Sequence, residues 1–217
     1  MTQATRLDLD AQTTTVNDSL ANLLVSNSVD LSHSNTMALA CVADSVVTLT
    51  NEAQLDDFMA TYAEHQRSLF VLSGGSNVLL PAALNAVVLQ PRMRGIHLTA
   101  QTDSYVNIEV MAGENWHDLV VHTVNQGWYG LENLALIPGL TGAAPVQNIG
   151  AYGVQLEDCL QYVRAYHLPT QTWHHLSAAD CQFGYRDSIF KRTPNTWLIS
   201  RVGFRLHTDP KIGRAHV

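Results

Sequence analysis

The chain has 217 residues, a formal net charge of −7 and 46% hydrophobic residues. That composition is typical of a globular protein long enough to bury one large core or two small ones. The acidic balance disfavours a nucleic-acid partner, because surfaces that bind phosphate backbones are basic. A small anionic ligand stays possible, since main-chain amides and single arginines bind phosphate locally. No stretch approaches the ~20 apolar residues that span a bilayer, so no membrane partner is predicted.

Cysteines and histidines give no pattern typical of a metal site. Cys41, Cys159 and Cys181 are an odd number of thiols, and the ten histidines are scattered without ligand spacing. Buried thiols in a reducing compartment fit this pattern better than a disulfide framework does. We therefore expect a cytoplasmic protein without a bound metal.

The two ends of the chain are predicted to lie outside the fold. Residues 1–33 are rich in Thr, Asn, Ser and Asp and lack a basic start followed by an apolar core. They predict a mobile extension rather than a secretory signal. The last residues, Lys211–Val217, are those that the string AAG ATC GGA AGA GCA CAC GTC would encode, and that string resembles a short-read sequencing adapter. We expect 210–217 to be a non-native tail.

In chain order, the first elements predicted are a strand, a helix and two further strands. Val46–Leu49 is an apolar run of strand type, and Asn51 and Gln54 then have the spacing of a capping box. Leu69–Leu72 and Ala86–Leu89 are the next apolar runs, and together they predict a small βαβ sheet. The helix between the first two strands carries apolar residues at helical spacing: Leu55, Phe58, Met59 and Tyr62.

Beyond Tyr105 the pattern changes to strands with one polar face. Apolar and polar residues alternate over Val106–Val110 and near the end of Leu198–Leu206, which predicts antiparallel strands. Asn115 and Gly127 bracket a predicted helix as its N-cap and its stop signal. The predicted hairpin consists of Tyr162–His167, a turn at Pro169–Thr172, and Trp173–Leu176.

Two glycine-rich segments are candidates for a ligand site. Ser73–Asn77 (SGGSN) directly follows a predicted strand, and such a turn presents successive N–H groups that suit a phosphate or pyrophosphate. It is neither a Walker loop nor the dinucleotide fingerprint. Leu136–Gly153 (LIPGLTGAAPVQNIGAYG) is so poor in large side chains that its backbone can approach another group closely. On composition alone, an ordinary buried turn region is the favoured interpretation.

A third segment, Phe183–Lys191 (FGYRDSIFK), makes the pattern specific. Further motifs are Ala112–Trp116 (AGENW) and Gly130–Leu134 (GLENL). Taken together and in this order, the segments resemble the UDP-N-acetylenolpyruvoylglucosamine reductase (MurB) family of bacterial flavoproteins. The resemblance extends roughly from Asn35 to Leu206, and its motifs are long enough that chance is a poor explanation.

The resemblance implies an α+β, two-lobed FAD-binding fold of the vanillyl-alcohol-oxidase/PCMH type. A small βαβ lobe would cover 34–94, and a larger lobe with a mainly antiparallel sheet would cover 95–209. FAD would lie between the two lobes. The substrate domain of the family would be absent from this chain.

The resemblance also implies how FAD would be held. The SGGSN loop would wrap the pyrophosphate with its N–H groups, and the second glycine-rich segment would line the opposite side. Flavin oxidases with covalent FAD have a histidine where Ser76 stands, so FAD would be bound noncovalently. The implied cofactor-binding residues are Ser73, Gly74, Gly75, Ser76, Asn77, Ile137, Pro138, Gly139, Gly142, Gln147, Asn148, Gly150, Tyr152 and Gly153.

On the substrate side, the resemblance implies that Arg186 is catalytic and stabilises developing negative charge. Tyr185 and Lys191 would be substrate-binding residues. From the residues alone, Arg186 could instead form a surface ion pair with Asp187, Tyr185 could belong to the core, and Lys191 could be solvated. The motif residue Glu114 fits a structural role better than that of a general base.

The implied reaction uses NADPH to reduce FAD, and hydride then passes to the enolpyruvyl ether of UDP-N-acetylglucosamine. The product, UDP-N-acetylmuramate, serves peptidoglycan synthesis and hence the cell wall, cell shape and cell division. In the family, a serine of a Gly-Ser-x-Phe-Lys-Asn-Pro motif protonates the enol and a glutamate near the C-terminus assists. Neither motif occurs here. We therefore expect an incomplete, monomeric fragment with little or no turnover.

Two other functions stay open. A flavin-dependent oxidase of the same fold would use oxygen as its acceptor, although Ser76 in place of histidine and the FGYRDSIF string disfavour it. A nonenzymatic nucleotide-binding module would need only the glycine-rich loops. The presence of a flavin spectrum, and its bleaching by NADPH, distinguish the three.

Overall fold

The computed structural model describes residues 24–62 and 67–209. The chain divides into two units, of which the first ends at Met93 and the second begins at Arg94. The expected non-native tail, 210–217, and residues 1–23 of the expected extension lie outside the described residues.

The elements of the first unit are β1 (Leu24–Asp30), β2 (Val42–Leu49), α1 (Glu52–Tyr62), β3 (Leu69–Val71) and β4 (Ala83–Pro91). The strands form one sheet in the order β1-β2-β4-β3. Both β2 and β3 run parallel to β4, whereas β1 is antiparallel to β2. The three parallel strands therefore end at the same edge of the sheet, which is where open α/β sheets bind ligands.

Helix α1 begins where the sequence predicts. The Oδ1 atom of Asn51 accepts a hydrogen bond from the Gln54 N–H at 3.0 Å and so caps the first turn. The Gln54 side chain accepts instead from the N–H of Thr50, at 2.7 Å, so the capping box does not close onto Asn51. The predicted apolar face is confirmed by the buried residues of the helix: Leu55, Phe58, Met59 and Tyr62.

The prediction of a mobile extension over 1–33 is wrong for its last ten residues. Strand β1 lies within them and pairs with β2 along its length, and a 3-10 turn follows at Ser32–Ser34. Val25 is 4% exposed and Leu31 is fully buried. The polar residues Ser26, Asn27 and Ser28 lie on this edge strand, where Asn27 accepts a hydrogen bond from Ser45 at 3.0 Å. Main-chain pairing, rather than apolar content, places this segment in the sheet.

The elements of the second unit are β5 (Ile96–Gln101), β6 (Tyr105–Met111), α2 (Trp116–Asn125), β7 (Gly150–Ala151), β8 (Val154–Gln155), β9 (Leu160–His167), β10 (Thr172–Ser177), α3 (Ile189–Arg192) and β11 (Trp197–His207). Five strands form an antiparallel sheet in the order β10-β9-β11-β6-β5. Strands β7 and β8 form a separate small hairpin. The predicted hairpin of β9 and β10 is confirmed.

One face of the five-stranded sheet forms the core of the second unit. Trp116 of α2 is 1% exposed, its ring centroid is 6.1 Å from that of Phe204, and its indole N–H donates to the Leu134 carbonyl at 2.8 Å. The predicted cap of α2 is confirmed, because Asn115 accepts from the Asp118 N–H at 3.1 Å. The predicted alternation is confirmed by the buried residues of two neighbouring strands: Val106, Ile108 and Val110 of β6, and Val202, Phe204 and Leu206 of β11.

Strand β5 is absent from the sequence-based prediction. His97 to Gln101 are all exposed, so no alternation of apolar and polar residues marks them. The strand exists because its main chain pairs with β6 at the edge of the sheet.

The opposite face of the sheet carries a half-buried polar cluster. The Tyr162 hydroxyl donates to one carboxylate oxygen of Glu109 at 2.7 Å, and Arg201 donates to the other at 2.8 Å. The Tyr162 ring lies across Gly203, where any Cβ would come within 2.2 Å of the ring. Burial, followed by the hydrogen bond to Glu109, raises the pKa of Tyr162 well above its usual value of 10.

Replacing Tyr162 with Phe is expected to change how the second unit responds to alkaline pH. Below about pH 10 the wild type keeps the hydrogen bond to Glu109 and is the more stable protein. Above that pH the unfolded chain loses the phenolic proton while the folded chain retains it, so the wild-type advantage shrinks as pH rises. Urea midpoints followed by tryptophan fluorescence measure this directly, because all four tryptophans lie in the second unit. An advantage that stays constant with pH would contradict the prediction.

Candidate functional site

The SGGSN loop, Ser73–Asn77, lies at the edge of the first sheet where the parallel strands end, because it follows β3 directly. The Oγ atom of Ser73 is buried and has no hydrogen-bond partner within the described residues. The main-chain hydrogen bonds found there include none donated by Gly74 or Gly75. A buried hydroxyl and two unused amides in succession are the groups expected of an anion site.

Gly75 is also required for packing, because a larger residue would not fit at this position. Its φ is +66°, and a Cβ would lie 2.0 Å from the Ser34 carbonyl oxygen and 2.7 Å from the Asn35 Cα. The Asn35 side chain, 6% exposed, donates to the carbonyls of Leu31 and Leu39 at 2.9 and 3.0 Å. The Asn35 side chain therefore closes a loop between Leu31 and Leu39. The SGGSN loop rests against this closed loop.

The second glycine-rich segment, Leu136–Gly153, contains a 3-10 helix at Thr141–Gln147. A Cβ at Gly142 would lie 2.6 Å from the Cβ of Ala112, and the Gly142 N–H already donates to the Ala112 carbonyl at 2.9 Å. The Gly139 carbonyl accepts from the Trp116 N–H at 3.1 Å. The small residues in this part of the segment therefore let its backbone pack closely against Ala112 and Trp116 of the second unit.

The segment ends in the tight β7–β8 hairpin. Tyr152 and Gly153 form its two-residue loop with φ of +51° and +79°, which is the pattern of a type I′ turn. The Tyr152 side chain is 89% exposed. The hairpin thus presents an aromatic ring to solvent on a rigid support.

Asn148 is fully buried and adopts a left-handed conformation, with φ of +42°. Its Nδ2 lies 2.9 Å from Glu157 Oε1, 3.1 Å from the Gly184 carbonyl and 3.2 Å from Gln155 Oε1. Its Oδ1 accepts from the Glu157 N–H at 3.1 Å. One amide side chain therefore joins the glycine-rich segment, the strand β8 and the turn that follows Phe183.

Arg186 lies against the main chain that Asn148 fixes. Its guanidinium donates to the Asn148 carbonyl at 3.3 Å and also to the Gly150 carbonyl. A Cβ on Gly150 would come within 2.5 Å of the guanidinium nitrogen, so only glycine permits this approach. The guanidinium carbon lies 5.4 Å from the centre of the Tyr185 ring.

The substrate-side residues proposed from the resemblance lie in neighbouring segments, with Tyr185 and Arg186 in the turn at Gly184–Asp187 and Lys191 in α3. Tyr185 is 85% exposed and is not a core aromatic, and the Lys191 Nζ donates to the Arg186 carbonyl at 2.8 Å. Asp187 pairs with Arg192 rather than with Arg186, and that hydrogen bond lowers the pKa of the Asp187 carboxyl. The alternative of an Arg186–Asp187 ion pair is therefore not realised.

Glu114 has a structural role in the second unit, as expected. Its Oε1 accepts from the Gly95 N–H at 2.7 Å, and its Oε2 pairs with Arg94 at 3.1 Å.

Three residues that organise these segments are not predicted from the sequence: Asn35, Glu157 and Arg92. Arg92 donates to the Ser73 carbonyl at 3.0 Å. A signal for Arg92 does exist, because it immediately follows the apolar run that forms β4 and so stands at the edge where open α/β sheets bind ligands. Asn35 bonds to carbonyls four residues away on either side, and Glu157 bonds to the Asn148 side chain. Both contacts lie in irregular segments, where no periodic pattern indicates them.

Within 24–62 and 67–209, no three His, Cys, Asp or Glu side chains are grouped closely enough to hold a metal ion. No helix in that part of the chain combines the length and apolar character needed to cross a membrane.

Comparison with known proteins identifies the class to which this arrangement belongs. Residues 43–177 match the model of a family described as an FAD binding domain. The match extends over more than half of the chain, and the chain belongs to the FAD binding domain family.

Among its relatives, the chain is 83% identical over 183 residues to the UDP-N-acetylenolpyruvoylglucosamine reductase of Psychrobacter cryohalolentis. The aligned region covers 83% of this chain and 49% of that relative. The chain thus spans about half the length of the curated relatives it matches.

Solved structures share the fold. The UDP-N-acetylenolpyruvylglucosamine reductase (MurB) of Thermus caldophilus aligns with a TM-score of 0.67 at 25% identity, covering 87% of this chain and 64% of that one. A VAO-type flavoprotein of Myceliophthora thermophila aligns with a TM-score of 0.56 at 14% identity, covering 76% and 32%. The predicted fold class, an α+β FAD-binding fold of the vanillyl-alcohol-oxidase/PCMH type, is confirmed.

Replacing Gly75 with Ala is expected to destabilise the first unit by about 2–4 kcal/mol, because the new methyl group meets main-chain atoms in a left-handed conformation. The matched control is Gly153→Ala. Gly153 has a similar φ of +79° but nothing within 4 Å of its Cβ position, so its cost is limited to about 1 kcal/mol of backbone strain. Thermal unfolding followed by circular dichroism compares the two variants. Equal losses would show that the Asn35 loop is not a rigid neighbour of Gly75.

Replacing Asn148 with Ala is expected to destabilise the second unit by about 2–4 kcal/mol, because the half-buried groups that bond to its buried amide lose their hydrogen bonds. Asn195→Ala is the control, since Asn195 is also left-handed, with φ of +55°, but its side chain is exposed. The difference between the two variants' losses in free energy of unfolding gives the contribution of the Asn148 hydrogen bonds, because both variants lose the same left-handed backbone preference. Urea unfolding followed by tryptophan fluorescence measures it, and equal costs would contradict the role assigned to Asn148.

Proposed function

We propose that the chain is the FAD-binding part of an NADPH-dependent reductase that converts UDP-N-acetylglucosamine enolpyruvate into UDP-N-acetylmuramate. The observation that carries the proposal is the 83% identity to a UDP-N-acetylenolpyruvoylglucosamine reductase over 183 residues. The proposed setting is the cytoplasm, where the product would enter peptidoglycan synthesis. The proposed form is a monomer that takes a small UDP-sugar substrate.

The SGGSN loop fits the pyrophosphate of FAD. The buried Ser73 hydroxyl without a partner, and the unused amides of Gly74 and Gly75, are hydrogen-bond donors that a diphosphate requires. Ser76 and Asn77 complete the loop. Because Ser76 stands where covalent flavoproteins of this fold have a histidine, we propose that FAD binds noncovalently.

In the second unit, we propose that the glycine-rich segment contacts the flavin. The Gly142 amide is committed to Ala112, so Gly142 would contribute through its small size rather than through its N–H. The residues proposed to contact the cofactor are Ile137, Pro138, Gly139, Gly142, Gln147, Asn148, Gly150, Tyr152 and Gly153. FAD, when bound, supplies the redox chemistry by taking hydride from NADPH and giving it to the substrate.

Arg186 is proposed to stabilise negative charge on the substrate. Its guanidinium has five N–H donors, and two are used by the Asn148 and Gly150 carbonyls. These two bonds orient the charge before substrate binds, so little reorganisation is needed when negative charge develops. Tyr185, which is exposed, and Lys191 are proposed to bind the substrate beside it.

Proton transfer to the substrate is not assigned to this chain. The serine and glutamate motifs implied by the family resemblance do not occur in its sequence. We therefore propose the complete reaction only for a longer protein, similar in length to the relatives. The chain on its own is proposed to bind FAD with little or no turnover.

The purified chain is expected to carry a flavin spectrum, or to acquire one on titration with FAD. Acid precipitation is expected to leave the flavin in solution as FAD, because no covalent bond holds it. A chain that neither copurifies with FAD nor takes it up would refute the proposal, and flavin that stays in the precipitate would refute noncovalent binding. Bleaching by NADPH with slow reoxidation in air is expected of a reductase, whereas rapid reoxidation would favour the alternative of an oxidase.

A further inference from the structure

We propose that Arg92 is a positioning residue for the FAD pyrophosphate, acting through the SGGSN loop and through its own charge. The inference rests on the proposed FAD binding and adds a residue that sequence comparison did not assign. It concerns the first unit alone.

The position of Arg92 follows from the strand order. Arg92 comes immediately after β4, the strand that lies between β2 and β3. Its N–H donates to the Leu49 carbonyl at 2.7 Å, so its main chain is fixed to the end of β2. Its half-buried side chain extends toward the other neighbour, β3, and donates to the carbonyl of Ser73 at 3.0 Å. One residue thus connects the ends of all three parallel strands.

The bond to Ser73 determines which way the loop amide points. In a trans peptide the C=O and the following N–H point in opposite directions. Because the Ser73 carbonyl is directed at Arg92, the Gly74 N–H is directed away from Arg92 and from the main chain that holds it. Without the guanidinium, the flexible Ser73–Gly74 peptide could rotate and turn its carbonyl toward the ligand, where it would repel phosphate oxygens.

Arg92 also supplies positive charge in a protein whose overall charge is negative and therefore unfavourable for binding an anion. The formal net charge is −7, and a diphosphate must bind against that balance. The other arginine in the described part of the first unit, Arg67, bonds to Asp44 in the N-terminal half of β2, at 3.0 Å, and not to the SGGSN loop. A guanidinium keeps its charge at any physiological pH and is weakly hydrated, so it attracts a diphosphate across the loop it supports.

The test compares FAD binding by the 217-residue chain and three variants, followed by quenching of flavin fluorescence. Arg92→Gln is expected to weaken FAD binding by about 10- to 100-fold, the range for a charge-assisted hydrogen bond. Arg92→Lys keeps the charge and is expected to recover part of the loss. Arg67→Gln removes the same charge from the same unit and is expected to change affinity by no more than about twofold, because exposed charges are screened.

A second measurement separates charge and loop orientation from general stability. The loss in Arg92→Gln is expected to shrink as the sodium chloride concentration rises from about 0.05 M to about 1 M, because salt screens the attraction. Thermal unfolding of the FAD-free proteins is expected to differ little between Arg92→Gln and Arg67→Gln. A loss of affinity that is independent of salt and accompanied by a large fall in melting temperature would overturn the inference in favour of a purely structural role.

The inference and the proposed function fail in different ways. If the wild-type chain does not bind FAD, the proposed function itself is refuted and the inference with it. If the wild type binds FAD and Arg92→Gln binds it equally well, the function survives and the role of Arg92 is refuted.

Discussion

The contact between the Arg186 guanidinium and the carbonyls of Asn148 and Gly150 is the constraint on which the second unit's candidate site depends. It requires glycine at 150, since a Cβ there would overlap the guanidinium. It also requires the peptide chain near Asn148 to be fixed, which the buried Asn148 side chain achieves through Glu157 and Gly184. A permanent positive charge is thereby oriented by main-chain dipoles instead of by a carboxylate that would neutralise it.

Small residues in both units serve the protein's own packing before they serve any ligand. Gly75 lies against the loop that Asn35 closes, and Gly142 lies against Ala112. The sequence suggested that small residues let the backbone approach another group, and in these cases the group is another part of the same chain. The consequence for the proposed FAD site is that its amides are held by rigid neighbours, which lowers the entropy lost when a diphosphate binds.

Local sequence signals account for much of the fold and for less of the candidate site. Helix caps at Asn51 and Asn115 and the alternation in β6 and β11 are short-range features, so they could be predicted. Strands β1 and β5 were missed because main-chain pairing with a neighbour, and not apolar content, makes them strands. Asn35 joins two carbonyls, each four residues away, in an irregular loop that no helix or strand periodicity marks. The cofactor-binding and substrate-side residues are proposed from similarity to the family motifs. Their spacing in the sequence alone is also compatible with purely structural roles.

The place of β11 in its sheet has a consequence for synthesis of the chain. Although it is the last strand of the second unit in chain order, it lies between β9 and β6, and it pairs with both. Until Trp197 to His207 have left the ribosome, two groups of strands expose open edges that have no neighbour to complete their ladders. The second unit therefore assembles only after β11 has been synthesised. This strand joins the β5–β6 and β9–β10 pairs, whose open edges otherwise favour self-association.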